Sequence, residues 1–213
     1  MKKNISIAKR KTFRHGDLRN ALVTAGLEMA RAGGPNAVIL REATRQAGVS
    51  PNAAYRHFAG QAELLDAVRS ACLSRLAAAI EDEMKKCRPG RDPQGFARRS
   101  LRAVGMGYLG FAMREPGMFL TAFSISPAVH SHNPANTAAM GLNPFQLLSL
   151  ALDRMQKSGL LSKKVRQHAE YLAWSTVHGL ALLVLEGPLH KMPREMVLEL
   201  GERLVVMVER GLG

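Results

Sequence analysis

The side chains best suited to recognition chemistry lie in one short segment, residues 48–57. They carry hydroxyl, amide, phenol, guanidinium and imidazole groups, which donate hydrogen bonds or bear positive charge. Ser50, Asn52 and Ala53 are suited to the edges of DNA bases, because an amide pairs with adenine and a methyl group packs on the methyl of thymine. The residues suited to phosphate and sugar contacts are Tyr55, Arg56 and His57.

Two short helices are predicted to position this segment. The first covers residues 40–47 and ends at Gly48, which adopts the left-handed conformation of a helix C terminus without strain. Ser50 caps the second helix, Pro51 takes its first position, and the helix runs to about Phe58, which is expected in the core. A tight glycine turn between two helices is typical of a helix-turn-helix, whose second helix enters the major groove of B-DNA.

The charge of the chain favours a polyanionic partner. The 213 residues carry a formal charge of +13, and residues 1–60 hold eleven Lys or Arg against three Asp or Glu. Such an excess is typical of proteins that bind nucleic acid or an anionic membrane surface. The first fourteen residues are especially basic, and two interpretations stay open for them. They form a solvated tail, or a basic arm that neutralises phosphates or enters a minor groove, and a tail can order on binding.

The rest of the chain is predicted to be helical. Apolar residues recur with helical spacing, and no segment alternates with a period of two. Helices are expected over residues 17–32, 62–86, 93–113, 116–123, 143–157, 163–187 and 193–210. Residues 124–143 are the least regular part and are interpreted as a mobile loop.

Residues 14–65 resemble the DNA-binding domain of the TetR (tetracycline-repressor type) family of bacterial transcription regulators. The resemblance lies in RHGDLRNALVTAGLEMARAGG and REATRQAGVSPNAAYRHFAGQAELL. Its most specific part runs from the GVS turn through YRHF to ELL. A weaker resemblance involves Trp174, His178 and Gly179, which are similar to the Trp-His-Gly signature of one C-terminal subclass of this family.

The sequence departs from the family pattern at two places. Gln61 stands where members usually carry a Lys that meets a phosphate, so it is a weaker candidate for a DNA contact. Ala43 and Thr44 stand where an Ile-Ala pair is usual, which would loosen the packing of the second helix. The full set of predicted DNA contacts is Lys9, Arg10, Lys11, Arg14, Arg41, Ser50, Pro51, Asn52, Ala53, Tyr55, Arg56, His57 and Gln61.

The resemblance implies an all-α protein, with a three-helix N-terminal helix-turn-helix domain and a larger C-terminal helical domain for ligand binding and dimerisation. The expected domains are a basic flexible arm at 1–13, a helix-turn-helix domain at 14–60, a connector helix at 61–90, and an effector-binding and dimerisation domain at 91–213.

The implied function is that of a homodimeric, cytoplasmic, ligand-responsive regulator, usually a repressor, on a palindromic double-stranded operator. A small-molecule effector would shift the fourth helix and release the DNA. Dimerisation would use helices 163–187 and 193–210, paired with their copies as a four-helix bundle. The apolar stripe suited to that bundle is Val197, Leu200, Leu204 and Val208. The alternative is a nonspecific architectural protein that binds DNA by charge alone.

The effector site is predicted from position and residue type. The methionines of residues 106–118 are either adaptable core residues or the wall of a deformable apolar pocket, which would suit a hydrophobic effector. His178 is either a core histidine or a polar contact in that pocket, and Trp174 either packs in the core or dimer interface or stacks on the ligand. The predicted ligand-binding residues are Met106, Met113, Met118, Phe119, Trp174 and His178.

Other motifs carry weaker signals. The GxGxxG pattern at residues 105–110 lies in a helical stretch without a preceding strand, so no dinucleotide cofactor is expected. His130 and His132 lack a third ligand nearby, so no metal is expected. Cys72 and Cys87 are either inert thiols or a redox sensor. The chain shows no catalytic motif and no bilayer-spanning apolar run, so neither an enzyme nor a membrane partner is expected.

Overall fold

The computed structural model describes residues 15–124 and 133–212, with side chains from residue 18 onward. Every regular element in these residues is helical, which confirms the all-α prediction. The α-helices are α1 His15–Gly33, α2 Leu40–Ala47, α3 Pro51–Tyr55, α4 Gln61–Lys85, α5 Pro93–Arg114, α6 Pro116–Phe123, α7 Pro144–Lys157, α8 Lys163–Arg166, α9 Ala169–Leu185 and α10 Arg194–Leu212. Short 3-10 turns cover Pro35–Ala37 and Pro134–Asn136. None of the described helices is long and apolar enough to cross a membrane.

The N-terminal helices pack around one small core. Helix α1 contacts α2, α3 and the beginning of α4. The side chains that fill the space between them are fully buried, among them Leu22, Ala54, Phe58 and Leu64. Helix α3 is only five residues long, so its position depends on this packing rather than on its own stability.

Helix α4 connects this bundle to the rest of the molecule. It packs along α5 and also contacts α1, α6 and α7. Helix α5 lies at the centre of the C-terminal part, since it contacts α4, α7, α9 and α10. Helix α4 is therefore the element that joins α3 to the helices of the C-terminal part.

The predicted single helix over residues 163–187 is wrong, because the chain turns near its N-terminal end, between α8 and α9. His168 has a φ of 62°, the only positive φ of a non-glycine among the described residues, and it separates α8 from α9. Arg166, the last residue of α8, ties this corner to α7 and α9. Its guanidinium pairs with Asp153 and Glu170, both at 2.7 Å. Ion pairs between separate helices leave no periodic signal in the sequence.

Three further expectations need correction or lie outside the described chain. The third helix ends at Tyr55 and not near Phe58. Val197 does not belong to an outward apolar stripe, because it is fully buried within the chain. Part of the predicted mobile loop at 124–143, residues 125–132, lies outside the described residues, whereas the part from 133 onward is bonded to α4 through Thr137 and Met140. A 3-10 turn follows at Pro134–Asn136.

Candidate functional site

The turn between α2 and α3 is fixed by its own backbone and one hydroxyl. Gly48 has a φ of 67°, in the left-handed region, and its N–H donates to the Arg45 carbonyl at 3.2 Å. The Val49 N–H donates to the Thr44 carbonyl at 3.1 Å. Ser50 then caps α3, because its Oγ accepts the Ala53 N–H at 3.3 Å. These local bonds set the angle at which α3 leaves the bundle.

Helix α3 presents one exposed face and one buried face. Ala54 is fully buried, whereas the exposed side chains of this segment are those of Pro51, Asn52, Tyr55 and Arg56. Ala53 and His57 are half-buried at the edge of this face. Tyr55 is 58% exposed and is therefore not a core residue, whereas Phe58 is 0% exposed and belongs to the core. The exposed face combines an amide, a phenol and a guanidinium on a protruding helix.

Gln61 has a structural function at the start of α4. Its Oε1 accepts the Leu40 N–H at 2.7 Å, and its Nε2 donates to the Val38 carbonyl. The first residue of α4 therefore caps α2, whose own N-cap residue, Ile39, offers no side-chain oxygen. Contact between Gln61 and DNA stays a prediction. Such a contact would require Gln61 to give up one of these two hydrogen bonds, because both ends of its amide are already bonded.

The positive charge around α3 is partly compensated. Arg45 pairs with Glu42 at 2.6 Å on the exposed side of α2. Hydrogen bonds from Arg45 and Gln46 lower the pKa of the Glu42 carboxyl to about 2. Arg41 and Arg56 are exposed and form no ion pair within the described part of the chain. The other predicted cationic contacts lie outside the described residues, namely Lys9, Arg10, Lys11 and Arg14.

A cavity of about 520 Å³ lies in the C-terminal part of the molecule. Side chains of α4, α5, α6, α7, α9 and α10 line it, together with the 3-10 turn before α7. The wall is mostly apolar, with a few polar groups, as is common for small-molecule sites. Its aromatic and polar lining residues are Arg69, Tyr108, Phe123, Asn136, Asn143, Phe145, Tyr171, Trp174, Ser175 and His178.

Three of these residues form a hydrogen-bonded chain in the cavity wall. Trp174 Nε1–H donates to the Tyr108 hydroxyl at 3.1 Å, and that hydroxyl lies 2.7 Å from His178 Nδ1. Burial raises the pKa of Tyr108 and lowers the pKa of His178. Both groups are therefore neutral near pH 7, and the Tyr108 hydroxyl and His178 Nδ1 share one hydrogen bond whose direction depends on the His178 tautomer.

Two of the six predicted ligand-binding residues line this cavity, Trp174 and His178. The other four are not among its lining residues. Met118 and Phe119 are fully buried core residues, and the Phe119 ring packs edge-on against Tyr108 at 5.3 Å. Met106 lies on a separate surface groove beside α10. Met113 packs half-buried against the core.

Sequence reasoning missed most of the cavity wall. Tyr108 sits inside the GxGxxG pattern, for which no dinucleotide cofactor is expected, and the only available signal is a tyrosine within the apolar stretch 103–113. That pattern serves helix packing, since a Cβ at Gly107 would lie 2.8 Å from the Ile80 Cα of α4. Asn136 lies in a non-periodic stretch and gave no signal at all.

No cluster of three or more His, Cys, Asp or Glu able to hold a metal occurs in the part of the chain that the structure describes. The histidine pair singled out in the sequence, His130 and His132, lies outside those residues. Cys72 is buried, and desolvation raises the pKa of its thiol to about 12. Cys87 is half-buried, and both cysteines are unpaired. A redox-sensor role for Cys72 gains no support, because a thiolate is the reactive form.

Two family models match the chain. A model described as "Bacterial regulatory proteins, tetR family" matches residues 22–68. A model described as "Tetracyclin repressor-like, C-terminal domain" matches residues 101–208. The first match covers the helix-turn-helix and the start of α4, and the second covers most of the helices that enclose the cavity. A comparison with curated protein sequences finds no match.

Solved structures share the fold. A protein of unknown function from Rhodococcus sp. RHA1 is 24% identical, with a TM-score of 0.72, and the alignment covers 95% of this chain and 98% of that one. PfmR, a TetR family transcriptional regulator from Thermus thermophilus, is 19% identical, with a TM-score of 0.54 over 90% and 98% of the two chains. HlyIIR, a hemolysin II transcriptional regulator, is 16% identical, with a TM-score of 0.51 over 91% and 98%.

The C-terminal family match alone spans just over half of the chain. The N-terminal match covers the segment in which the turn at Gly48, the Ser50 cap and the exposed face of α3 were found. Members of this family are transcription regulators and not enzymes. The chain belongs to the TetR family of DNA-binding bacterial transcription regulators.

Proposed function

We propose that the protein is a ligand-responsive repressor that binds a palindromic operator as a homodimer and releases it when a small molecule fills the cavity. The observation that carries this proposal is the position of α4. Helices α1–α3, residues 15–55, are called the DNA-reading unit. Helix α4 is bonded to this unit through its first residue, Gln61, and it lines the cavity with Arg69 and Leu73. One rigid element therefore touches both sites.

The DNA-reading element is α3. Its exposed Asn52 offers the amide that can pair with adenine in the major groove, while Tyr55 and Arg56 suit the flanking phosphates. Ser50 and Pro51 are exposed at the N-terminal end of this helix, and we expect them to lie against the DNA backbone. The basic arm of residues 1–13 and Arg41 would add sequence-independent affinity.

Dimerisation is assigned to the outward faces of α9 and α10. Leu172 and Leu183 of α9 are 60% and 44% exposed, and Met196 and Met207 of α10 are 49% and 61% exposed. Gly179 lies between the two leucines on the same face, and among the described residues a Cβ there would meet nothing within 4 Å beyond the backbone of its own helix. Apolar side chains exposed beside a glycine favour close packing of a second helix pair.

A second route links the cavity to the DNA-reading unit through α6. Ala122 and Phe123 near the end of α6 line the cavity. At its other end, Glu115 accepts a hydrogen bond from Arg31 Nε of α1 at 2.8 Å. An effector that favours a different position of α6 or α4 would change the distance between the two α3 helices of the dimer. Release requires that the effector bind the two arrangements with different affinity.

The first experiment is selection of bound duplexes from a random-sequence library, followed by fluorescence anisotropy at several salt concentrations. The proposal predicts a two-fold symmetric consensus, two chains per duplex, and a preference of roughly a thousandfold or more over a scrambled duplex. Equal binding to both duplexes with the same steep salt dependence would mean that only phosphates are read, which is the behaviour of an architectural protein.

A further inference from the structure

The positive charge of the C-terminal part is concentrated in two segments. Residues 61–213 carry nineteen Lys or Arg against fourteen Asp or Glu. Within them, residues 82–99 carry six against three, and residues 153–166 carry five against one. The rest of the C-terminal part therefore has a negative balance. An excess confined to two segments gives the surface that bears it a strong local attraction for anions.

The fold brings these two segments together at one end of the molecule. At the start of α5, Gln94 Nε2 donates to the Ser158 carbonyl at the end of α7, at 3.2 Å. The Arg154 guanidinium of α7 lies over the Phe96 ring of α5, 4.9 Å from its centre. Helix α8, which begins at Lys163, packs against α7. The cations of both segments therefore share one surface.

Six exposed cations of this surface form no ion pair with any residue that the structure describes. They are called the distal patch and are Arg88, Arg91, Arg99, Lys157, Lys163 and Lys164. Four other cations of the two segments are already paired, namely Lys85 with Asp82, Lys86 with Glu83, Arg98 with Glu209, and Arg166 with Asp153 and Glu170. The carboxylate of Asp92, beside Arg91, caps α5 by accepting the Gly95 N–H at 2.8 Å.

The distal patch is separated from α3 by the length of α4. Helix α4 has 25 residues and is therefore roughly 37 Å long. Helix α3 precedes its first residue, and Arg88 follows shortly after its last residue, Lys85. Charges in water are screened over about 8 Å at physiological salt. The patch therefore adds little to the affinity of α3 for DNA, and its charges act on a partner at their own end of the molecule.

The composition of the two segments indicates which polyanion fits them. Their only large apolar side chain that is exposed is Val165, at 40%. Their only aromatic residue, Phe96, is half-buried under Arg154. Single-stranded nucleic acid is held by stacking on exposed aromatic rings, and membrane-surface helices insert several large apolar side chains. A DNA duplex requires neither, because exposed Lys and Arg neutralise its phosphates directly.

We infer that the distal patch binds the phosphates of a second DNA duplex without regard to base sequence. One molecule then holds two DNA segments, one at α3 and one at the opposite end of α4. The second site needs neither the effector cavity nor the bases that α3 reads. If each of its six cations meets one phosphate, the logarithm of its affinity falls with the logarithm of salt concentration with a slope of about −5.

The test measures whether protein bound to one duplex captures another. Beads carrying a biotinylated duplex of arbitrary sequence are loaded with the full chain and washed. A fluorescent duplex of unrelated sequence is then added at several salt concentrations, and the ratio of retained duplex to bound chain is measured. The wild type is expected to retain the second duplex, with the steep salt dependence given above.

The double variant Lys163→Glu with Lys164→Glu removes two charges of the patch and reverses them. Both side chains are exposed, so the change removes no packing. Capture of the second duplex is expected to weaken roughly tenfold or more, and the salt slope to fall by about 2. Arg88→Glu with Arg91→Glu, on the other segment, is expected to weaken capture in the same way.

The matched control is Arg75→Glu with Lys191→Glu. It changes the net charge equally at two exposed positions outside the two segments, and it is expected to capture the second duplex as the wild type does. Vesicles of phosphatidylserine and phosphatidylcholine supply the competing polyanion, and no binding that depends on the patch is expected with them.

Four results would overturn the inference. They are no capture of a second duplex by the wild type, unchanged capture in either charge-reversed pair, an equal loss in the control, and patch-dependent binding to the vesicles in place of DNA. The first result does not depend on how any variant folds. An equal loss in the control would mean that only the total charge matters, as in an unlocalised attraction.

Discussion

Helix α6 approaches the backbone of α1 closely at Gly117. A Cβ at Gly117 would lie 2.2 Å from the Ala30 carbonyl oxygen and 2.7 Å from the Arg31 carbonyl oxygen. Both obstacles are backbone atoms, which cannot rotate away as a side chain can. Gly117→Ala must therefore push α6 away from the end of α1 and strain the adjacent contact between Arg31 and Glu115.

The expected cost is that of overpacking against a rigid neighbour, about 3 kcal/mol. For a chain of this length, each kcal/mol lowers the melting temperature by roughly 2–4 °C. Thermal unfolding followed by circular dichroism should therefore show a fall of about 6–12 °C for Gly117→Ala. The same displacement should weaken the effect of any bound effector on operator affinity, because one of the two connections between cavity and α1 is loosened.

Gly110→Ala is the matched control. Its Cβ would approach only the end of the Arg114 side chain, at 3.0 Å, and that guanidinium can move. Since alanine favours a helix interior over glycine by roughly 0.5–1 kcal/mol, this variant should be as stable as the wild type or slightly more stable. If Gly117→Ala melted within about 1 °C of the control, the reasoning from backbone proximity would be refuted.

Three further predictions concern the cap, the histidine and the cysteines. Ser50→Ala should cost about 1 kcal/mol through loss of the α3 cap and lower the melting temperature by roughly 2–4 °C; an unchanged melting curve would contradict the cap. Because burial lowers the pKa of His178, the unfolded chain takes up that proton first as pH falls, so stability should decrease from pH 7 toward acid. Urea unfolding of wild type and His178→Gln should show a shallower pH dependence for the variant. In the native protein, Cys87 should react with a thiol reagent at neutral pH, whereas Cys72, with a pKa of about 12, should react only on unfolding.

The DNA-reading unit could be predicted closely from the sequence because its determinants are local. The bounds of α2 follow from its apolar residues and from Gly48, and the start of α3 follows from Ser50 and Pro51. Each of these signals acts within a few residues of its own position. The function of Gln61 could not be found in this way, because its hydrogen-bond partners lie more than twenty residues away.

The cavity could be predicted only in part because its wall is assembled from seven elements distant in sequence. Met118, Phe119, Trp174 and His178 were all predicted as ligand-binding residues from their type and their position in a helix. In the structure Met118 and Phe119 face the core, whereas Trp174 and His178 face the cavity. Helical periodicity identifies which residues share a face, but not which neighbour that face meets. Asn136 lies in a stretch without periodicity, so its burial depends entirely on contacts with α4.

The central claim is that α3 reads base sequence, and Asn52→Ala tests it most directly. Anisotropy should be measured with the selected operator and with a scrambled duplex of the same length. We expect Asn52→Ala to bind the operator about tenfold or more weakly, with unchanged affinity for the scrambled duplex, because an amide pair with adenine is lost. The comparison variant, Arg56→Ala, should weaken both duplexes alike and reduce the salt slope by about 1. An Asn52→Ala variant that lost the same factor on both duplexes would contradict the claim.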